Sequence, residues 1–223
     1  MSGITLLDAR ELTDTSDILA RLRELAHGRE LILTTRAAPA DVLAAVQGAQ
    51  GLDFYYSPIE RGPEAWTYHF VARDPSLAAS VSEYLGWDHD RLDEVLERAL
   101  ADAAAGKWQP ASRRLENFRH GLFRHADLED DVLFPEYEQR TGIRTGGPTQ
   151  VMRDEHVQIK QAINGMVQAT REESLPDLEQ WHANLLGVLV EHNMKEEQIL
   201  YPGTDNLLSD AEREDLILRM LKY

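Results

Sequence analysis

The chain has 223 residues, 43% of them hydrophobic and 28% charged, the balance of an ordinary globular protein long enough for one large domain or two small ones. Its formal net charge of −16 opposes nucleic acid and anionic lipid, and its lack of cysteine excludes disulfides, thiolate metal ligands and thiol catalysis. No apolar run approaches the roughly 20 residues that span a bilayer, and Met1-Ser2-Gly3-Ile4-Thr5 lacks the basic and apolar regions of a secretory signal, so a cytoplasmic protein with no nucleic-acid or membrane partner is expected.

Residues 1–73 read as a small α/β domain. Ile4 to Ala9 and Glu30 to Thr35 are short β-rich runs, and between them Ile18, Leu19, Leu22, Leu25 and Ala26 recur at helical spacing up to Gly28. A second helix opens after Pro39. Leu52 to Tyr56 and Trp66 to Val71 then form a hairpin around Arg61-Gly62-Pro63. The order βαβαββ predicts a four-stranded sheet covered by two helices. Asp74-Pro75-Ser76 marks the boundary, and residues 74–223 read as almost wholly helical. After a short run through Leu85, helices are predicted at about 87–105, 109–139, 148–172 and 176–201, the last stopped by Pro202-Gly203; a short closing helix follows Ser209. Four long helices on short loops predict an all-α, up-down-up-down four-helix bundle.

One eleven-residue pattern occurs twice in this bundle. His125-Ala-Asp-Leu-Glu129-Asp130-Asp-Val-Leu-Phe134-Pro135 is matched by His192-Asn-Met-Lys-Glu196-Glu197-Gln-Ile-Leu-Tyr201-Pro202. A lone histidine, His89 or His156, precedes each copy by 36 residues, so the two halves repeat with one offset of 67. Residues four apart share a helix face, so His125 with Glu129, and His192 with Glu196, aim two donors at one point. Their neighbours are apolar: Phe118, Leu122, Leu128 and Val132 in one copy, Leu185, Val188, Leu189 and Ile199 in the other. Buried carboxylates are costly unless paired or bound to metal. His89, His125, Glu129, His156, His192 and Glu196 are therefore candidate metal ligands. Imidazole with carboxylate suits iron, manganese or zinc, and the simple division is two histidines per ion with both carboxylates bridging. His120 and His182 fall off the ligand line by about 140° and 80°, and Asp130 and Glu197 point about 100° from the proposed bridges, which places them in solvent or behind the ligands as supports. Phe134 and Tyr201 are expected to close the bundle end, and a tyrosine near iron could also serve redox chemistry.

Residues 87–203 resemble a hemerythrin-like domain of the His-His-Glu cation-binding type, with the pattern H…HxxxE…H…HxxxE carried by the two blocks, Asp88-His89 and Glu155-His156. The resemblance implies a four-helix bundle holding two oxo- or hydroxo-bridged non-haem irons, ahead of manganese or zinc, with Glu129 and Glu196 as bridges. Oxygen-carrying hemerythrins have a further histidine where Lys160 stands, and an Asp five residues after the fourth-helix histidine where this chain has Glu196 four after. Fewer histidines leave more open coordination, which points away from a simple oxygen carrier. Members with this pattern serve in nitrosative and oxidative stress, among them proteins that repair iron centres; those carry a cysteine-bearing N-terminal domain and another histidine between the first two clusters, both missing here. The segment from Leu7 to about Val71 resembles a sulfur-relay-like (TusA-like) domain without its sulfur-carrying cysteine.

The expected function is a di-iron protein that binds and transforms a small oxidant (nitric oxide, dioxygen or peroxide) with an electron donor or protein partner. The alternatives are a sensor or binding module that signals through the N-terminal domain, and iron storage or donation.

Overall fold

The computed structural model describes residues 4–11, 15–36, 39–48, 51–61 and 65–223. It divides into two compact units, Met1–Ser80 with Asp210–Tyr223, and Val81–Ser209.

The first unit contains β1 (Thr5–Asp8), α1 (Thr15–Arg23), β2 (Glu30–Thr35), α2 (Pro39–Val46), a two-residue pair β3 (Gln47–Gly48) and β4 (Gly51–Leu52), then β5 (Phe54–Arg61) and β6 (Trp66–Ala72). The sheet order is β1-β2-β6-β5, with β1 parallel to β2 and the other pairs antiparallel. A parallel pair needs a crossover, and α1 supplies it. The register sets Leu31 opposite Phe70, Leu33 opposite Tyr68 and Tyr56 opposite Phe70, so one face of the sheet is apolar and aromatic. Against this apolar content the unit buries Ile18 and Leu22 of α1 and Val42, Ala45 and Val46 of α2. β5 and β6 pair as the expected hairpin as far as Arg61 and Trp66; Gly62 and Pro63 of its turn lie outside the described residues. The closing helix α9 (Asp210–Lys222) buries Leu216, Ile217, Met220 and Leu221, and the Leu221 carbonyl accepts the Tyr56 hydroxyl at 2.9 Å. The helix that ends the chain therefore packs in the first unit.

The second unit is all helical, the bundle that the periodicity predicts. Its elements are α3 (Val81–Ala104), α4 (Trp108–Leu128), α5 (Phe134–Thr141), α6 (Pro148–Arg171), α7 (Leu175–Lys195) and α8 (Tyr201–Leu207). Gly106 and Gly142, both at positive φ, let the chain turn after α3 and α5. The inner stripes of four long helices meet in one core: Leu92 and Leu96, Leu115 and Phe118, Ile159 and Ile163, Leu185 and Leu189. Helices approach closely where a side chain is missing. A Cβ on Gly165 would lie 2.2 Å from the Trp181 ring, and one on Gly121 would lie 2.6 Å from the Leu92 methyl.

Two single π-helical turns, Glu129–Leu133 and Glu196–Leu200, join α4 to α5 and α7 to α8. They overturn two expectations. The last long helix does not stop at Pro202-Gly203 but runs on to Leu207, because Pro202 sits in the first turn of the renewed α-helix, where its missing N–H costs little. The inward position also slips by one residue: Ile199 is 62% exposed while Leu200 is 2% exposed, and Val132 is half-buried while Leu133 is buried. An i→i+5 turn inserts one residue into the helical repeat, and everything beyond it is re-aimed.

Candidate metal centre

All six sequence-predicted residues come together, one histidine from each of α3, α4, α6 and α7 and one carboxylate from the start of each π turn, and all six are buried. The four-residue spacing puts His192 Nε2 3.0 Å from Glu196 Oε1 and His125 Nε2 3.6 Å from Glu129 Oε2. Contacts between helices close the cluster. His156 Nε2 lies 3.4 Å from Glu129 Oε2 and 3.9 Å from Glu196 Oε1, and His89 Nε2 lies 3.6 Å from Glu196 Oε2. The donors fall into two groups that could each hold an ion: Glu129, His156, His192 and Glu196, with donor atoms all within 4.8 Å of one another, and likewise His89, His125 and Glu196. Glu196 belongs to both, with one oxygen turned to each histidine pair.

The residues fit a metal. Glu129 Oε2, His156 Nε2 and Glu196 Oε1 are buried without a hydrogen-bond partner, although each stands at ion-pair distance from another donor. An unsatisfied buried acceptor costs about 1–3 kcal/mol, more when charged. Three such atoms facing one another are what a bound cation would satisfy.

Each imidazole is held from behind by a carboxylate on Nδ1, which leaves Nε2 aimed inward. Glu197 holds His89 at 2.8 Å, Asp88 holds His125 at 3.0 Å, Asp130 holds His156 at 3.0 Å and Glu155 holds His192 at 2.9 Å. This fixes the ring and its tautomer and raises its basicity as a ligand. The carboxylates are held in turn: Asp88 by Arg91 at 2.8 Å, and Glu155 by Lys195. Every brace is the sequence neighbour of a predicted ligand but serves a different helix. Asp130 and Glu197, which rotation sets aside from the inner face, act on the outer edge of the rings. The signal was present in the sequence, because Asp88 with Glu155 and Asp130 with Glu197 obey the same offset of 67.

This charge pattern sets the proton affinities of the metal-free centre. Burial pulls the His89 and His156 rings down, but the carboxylates outweigh it. Glu197 with Glu196 and Glu129 raises His89 to about 9, and Asp130 with Glu129 raises His156 to about 10. His192 is raised against burial by Glu196 and Glu129. Burial would lift Glu129, yet the surrounding imidazoles bring it down to about 2. Asp88, also buried, is kept well below the usual carboxylate range by Arg91 and His125.

Phe134 and Tyr201 do not merely close the bundle end. Phe134 and Tyr201 each lie five positions after Glu129 and Glu196, and the π turns swing both aromatics onto the ligand face. Phe134 stacks on His156 with centroids 5.8 Å apart, and Tyr201 lies 5.9 Å from His89. The Tyr201 hydroxyl donates to Glu129 Oε1 at 2.7 Å and lies 3.2 Å from Glu196 Oε2. Burial and these two carboxylates push its pKa well above the usual tyrosine value. His120 is exposed and His182 half-buried, and neither belongs to a donor group among the described residues. His69, in the sheet, bonds Glu30 at 2.8 Å. Lys160, at the place of the oxygen carriers' further histidine, bonds Asp127 at 2.5 Å instead.

The family model Hemerythrin HHE cation binding domain matches residues 81–203, more than half of the chain, and the chain belongs to that family. Membership implies a bound metal, typically iron, and the His/Glu cluster is the place that could hold it. The match leaves the sheet-bearing N-terminal segment uncovered. No curated protein and no solved structure matches the chain. Among the described residues no helix is long and apolar enough to cross a membrane.

Proposed function

We propose that this hemerythrin-family chain is a non-haem di-iron protein that binds and transforms nitric oxide, dioxygen or peroxide in defence against nitrosative or oxidative stress. His89 and His125 hold one ion and His156 and His192 the other, with Glu129 and Glu196 between them. The observation that carries this reading is the pair of buried donor groups sharing Glu196, with three donor atoms otherwise unsatisfied. Histidine and carboxylate donors favour iron over magnesium or calcium, with manganese or zinc the lesser candidates. Two irons bound there would supply two electrons and open coordination positions for a small oxidant. The chain's own part is to fix and exclude. Four braced imidazoles hold their nitrogens in place, and Phe118, Leu122, Leu185 and Leu189 supply an apolar neighbourhood that suits small uncharged molecules. The test is anaerobic addition of nitric oxide or peroxide to the reduced, iron-loaded protein with a chemical reductant. Consumption over many turnovers is expected, and at most two equivalents of nitric oxide or one of peroxide consumed per centre would reject turnover.

The division into two units favours a second reading, a sensor whose iron centre signals through the sheet-bearing unit to a protein partner. That reading predicts a different pattern of limited proteolysis in the oxidised and reduced proteins. Identical patterns would remove it.

A further inference from the structure

The internal repeat brings Phe134 and Tyr201 to matching places, 67 residues apart and each the first residue after its π turn. Phe134 shows that a bare ring packs against a ligand histidine there. The hydroxyl of Tyr201 is therefore an addition that packing does not require, and a buried hydroxyl is costly unless it is used. Its oxygen faces every donor of the His89–His125–Glu196 group, with Glu196 Oε2 at 3.2 Å, His125 Nε2 at 3.3 Å and His89 Nε2 at 3.4 Å, and it also meets Glu129 Oε1 of the other group at 2.7 Å. Two donors that each sit about 2.1 Å from one ion, at right angles, are about 3 Å apart. The separations of 3.2, 3.3 and 3.4 Å to that group lie close to this value, as they do when an oxygen is one more corner of the same coordination shell. The His89–His125 group also has only three protein residues, whereas the His156–His192 group has four.

We infer that Tyr201 supplies an oxygen donor to the ion held by His89 and His125, which makes the two metal positions chemically unequal. The inference rests on the di-metal reading above. It gives the poorer group a fourth protein donor, a phenolic oxygen, where the His156–His192 side has the bare Phe134 ring stacked on His156.

The test uses the full chain loaded with ferrous iron and oxidised in air. Resonance Raman spectra excited in the visible band are expected to show tyrosinate ring modes, and Tyr201→Phe is expected to lose them. In stepwise Fe(II) titrations the same substitution should weaken one of the two binding steps about tenfold or more and leave the other unchanged. Phe134 occupies the matching place, so Tyr201→Phe has a precedent for packing; the spectrum of the unsubstituted protein decides the matter even if the variant fails to fold. Iron-loaded protein without tyrosinate modes, or with modes that survive Tyr201→Phe, overturns the assignment and leaves the di-iron reading standing. Protein that takes up no metal overturns both.

Discussion

Laid on each other with a shift of 67 residues, the two halves of the helical unit repeat nearly every group of the centre. Asp88 and Glu155 brace His125 and His192 while Glu197 and Asp130 brace His89 and His156, so each half holds the rings of the other as well as its own. The halves part company at one aromatic pair. Tyr201 hydrogen-bonds Glu129 and takes one of its oxygens, while Phe134 offers Glu196 nothing comparable, and Glu196 faces both histidine pairs. Repetition brings the two histidine pairs together in one frame, and the chief difference between the halves there is a single hydroxyl.

Removing the shared carboxylate tests this most severely. Glu196 belongs to both donor groups and Glu129 to one, so Glu196→Ala should abolish uptake of both ions, while Glu129→Ala should retain part of the metal and His120→Ala all of it. Metal analysis per chain reads the difference, and equal occupancy in the three variants would refute the grouping. The braces come next. Asp88→Asn and Glu155→Gln remove the same support from His125 and His192, and each should lower metal affinity about 10- to 100-fold. The larger loss is expected at Asp88, which is fully buried and holds Arg91 as well, and an equal or reversed loss in competition titrations would contradict that order.

Acidity separates the metal-free from the loaded protein. In the folded metal-free chain His89 and His156 keep protons up to about 9 and about 10. Both values lie above the unfolded histidine value of about 6.5. Their stabilisation is therefore complete below about pH 6.5 and is lost as pH rises through those folded values, with His89 alone accounting for about 3 kcal/mol. Denaturant unfolding of metal-free protein should show stability falling from pH 7 to 10. Metal replaces the protons on the rings, so the loaded protein should not follow, and its metal should leave on acidification instead. A parallel decline in both forms would contradict this. The smallest effect concerns the frame. Gly165→Ala drives a methyl into the rigid Trp181 ring and should cost about 1–3 kcal/mol, whereas Gly121→Ala meets the movable end of Leu92 and should cost less. Thermal unfolding would show whether the order is reversed.

The buried His/Glu cluster was legible in the sequence because its members obey rules that a helix enforces. Four-residue spacing, an apolar stripe and an exact repeat left His125 with Glu129, and His192 with Glu196, few places to point. The sheet-bearing unit was legible as an order of elements, since its β-rich runs are separated by Gly28 and Pro39. The pairing of β2 with β6 was not, because strands distant in sequence choose partners by packing. The π turns also escaped. Nothing in Glu129 to Leu133 distinguishes an i→i+5 turn from an α-helical one, and that single inserted residue moved Ile199 outward, Leu200 inward and Tyr201 onto the centre. Rotation on their own helix left Asp130 and Glu197 either in solvent or behind the ligand residues, and only the neighbouring helix decides between the two. The same holds for α9, whose apolar face does not say what it will cover.

The central claim is that one buried cluster holds two ions, and metal stoichiometry tests it most directly. Protein expressed with ample iron and purified under air should contain two irons per chain and show the visible bands of a bridged ferric pair. Protein with no metal, or with a single zinc, would contradict the account.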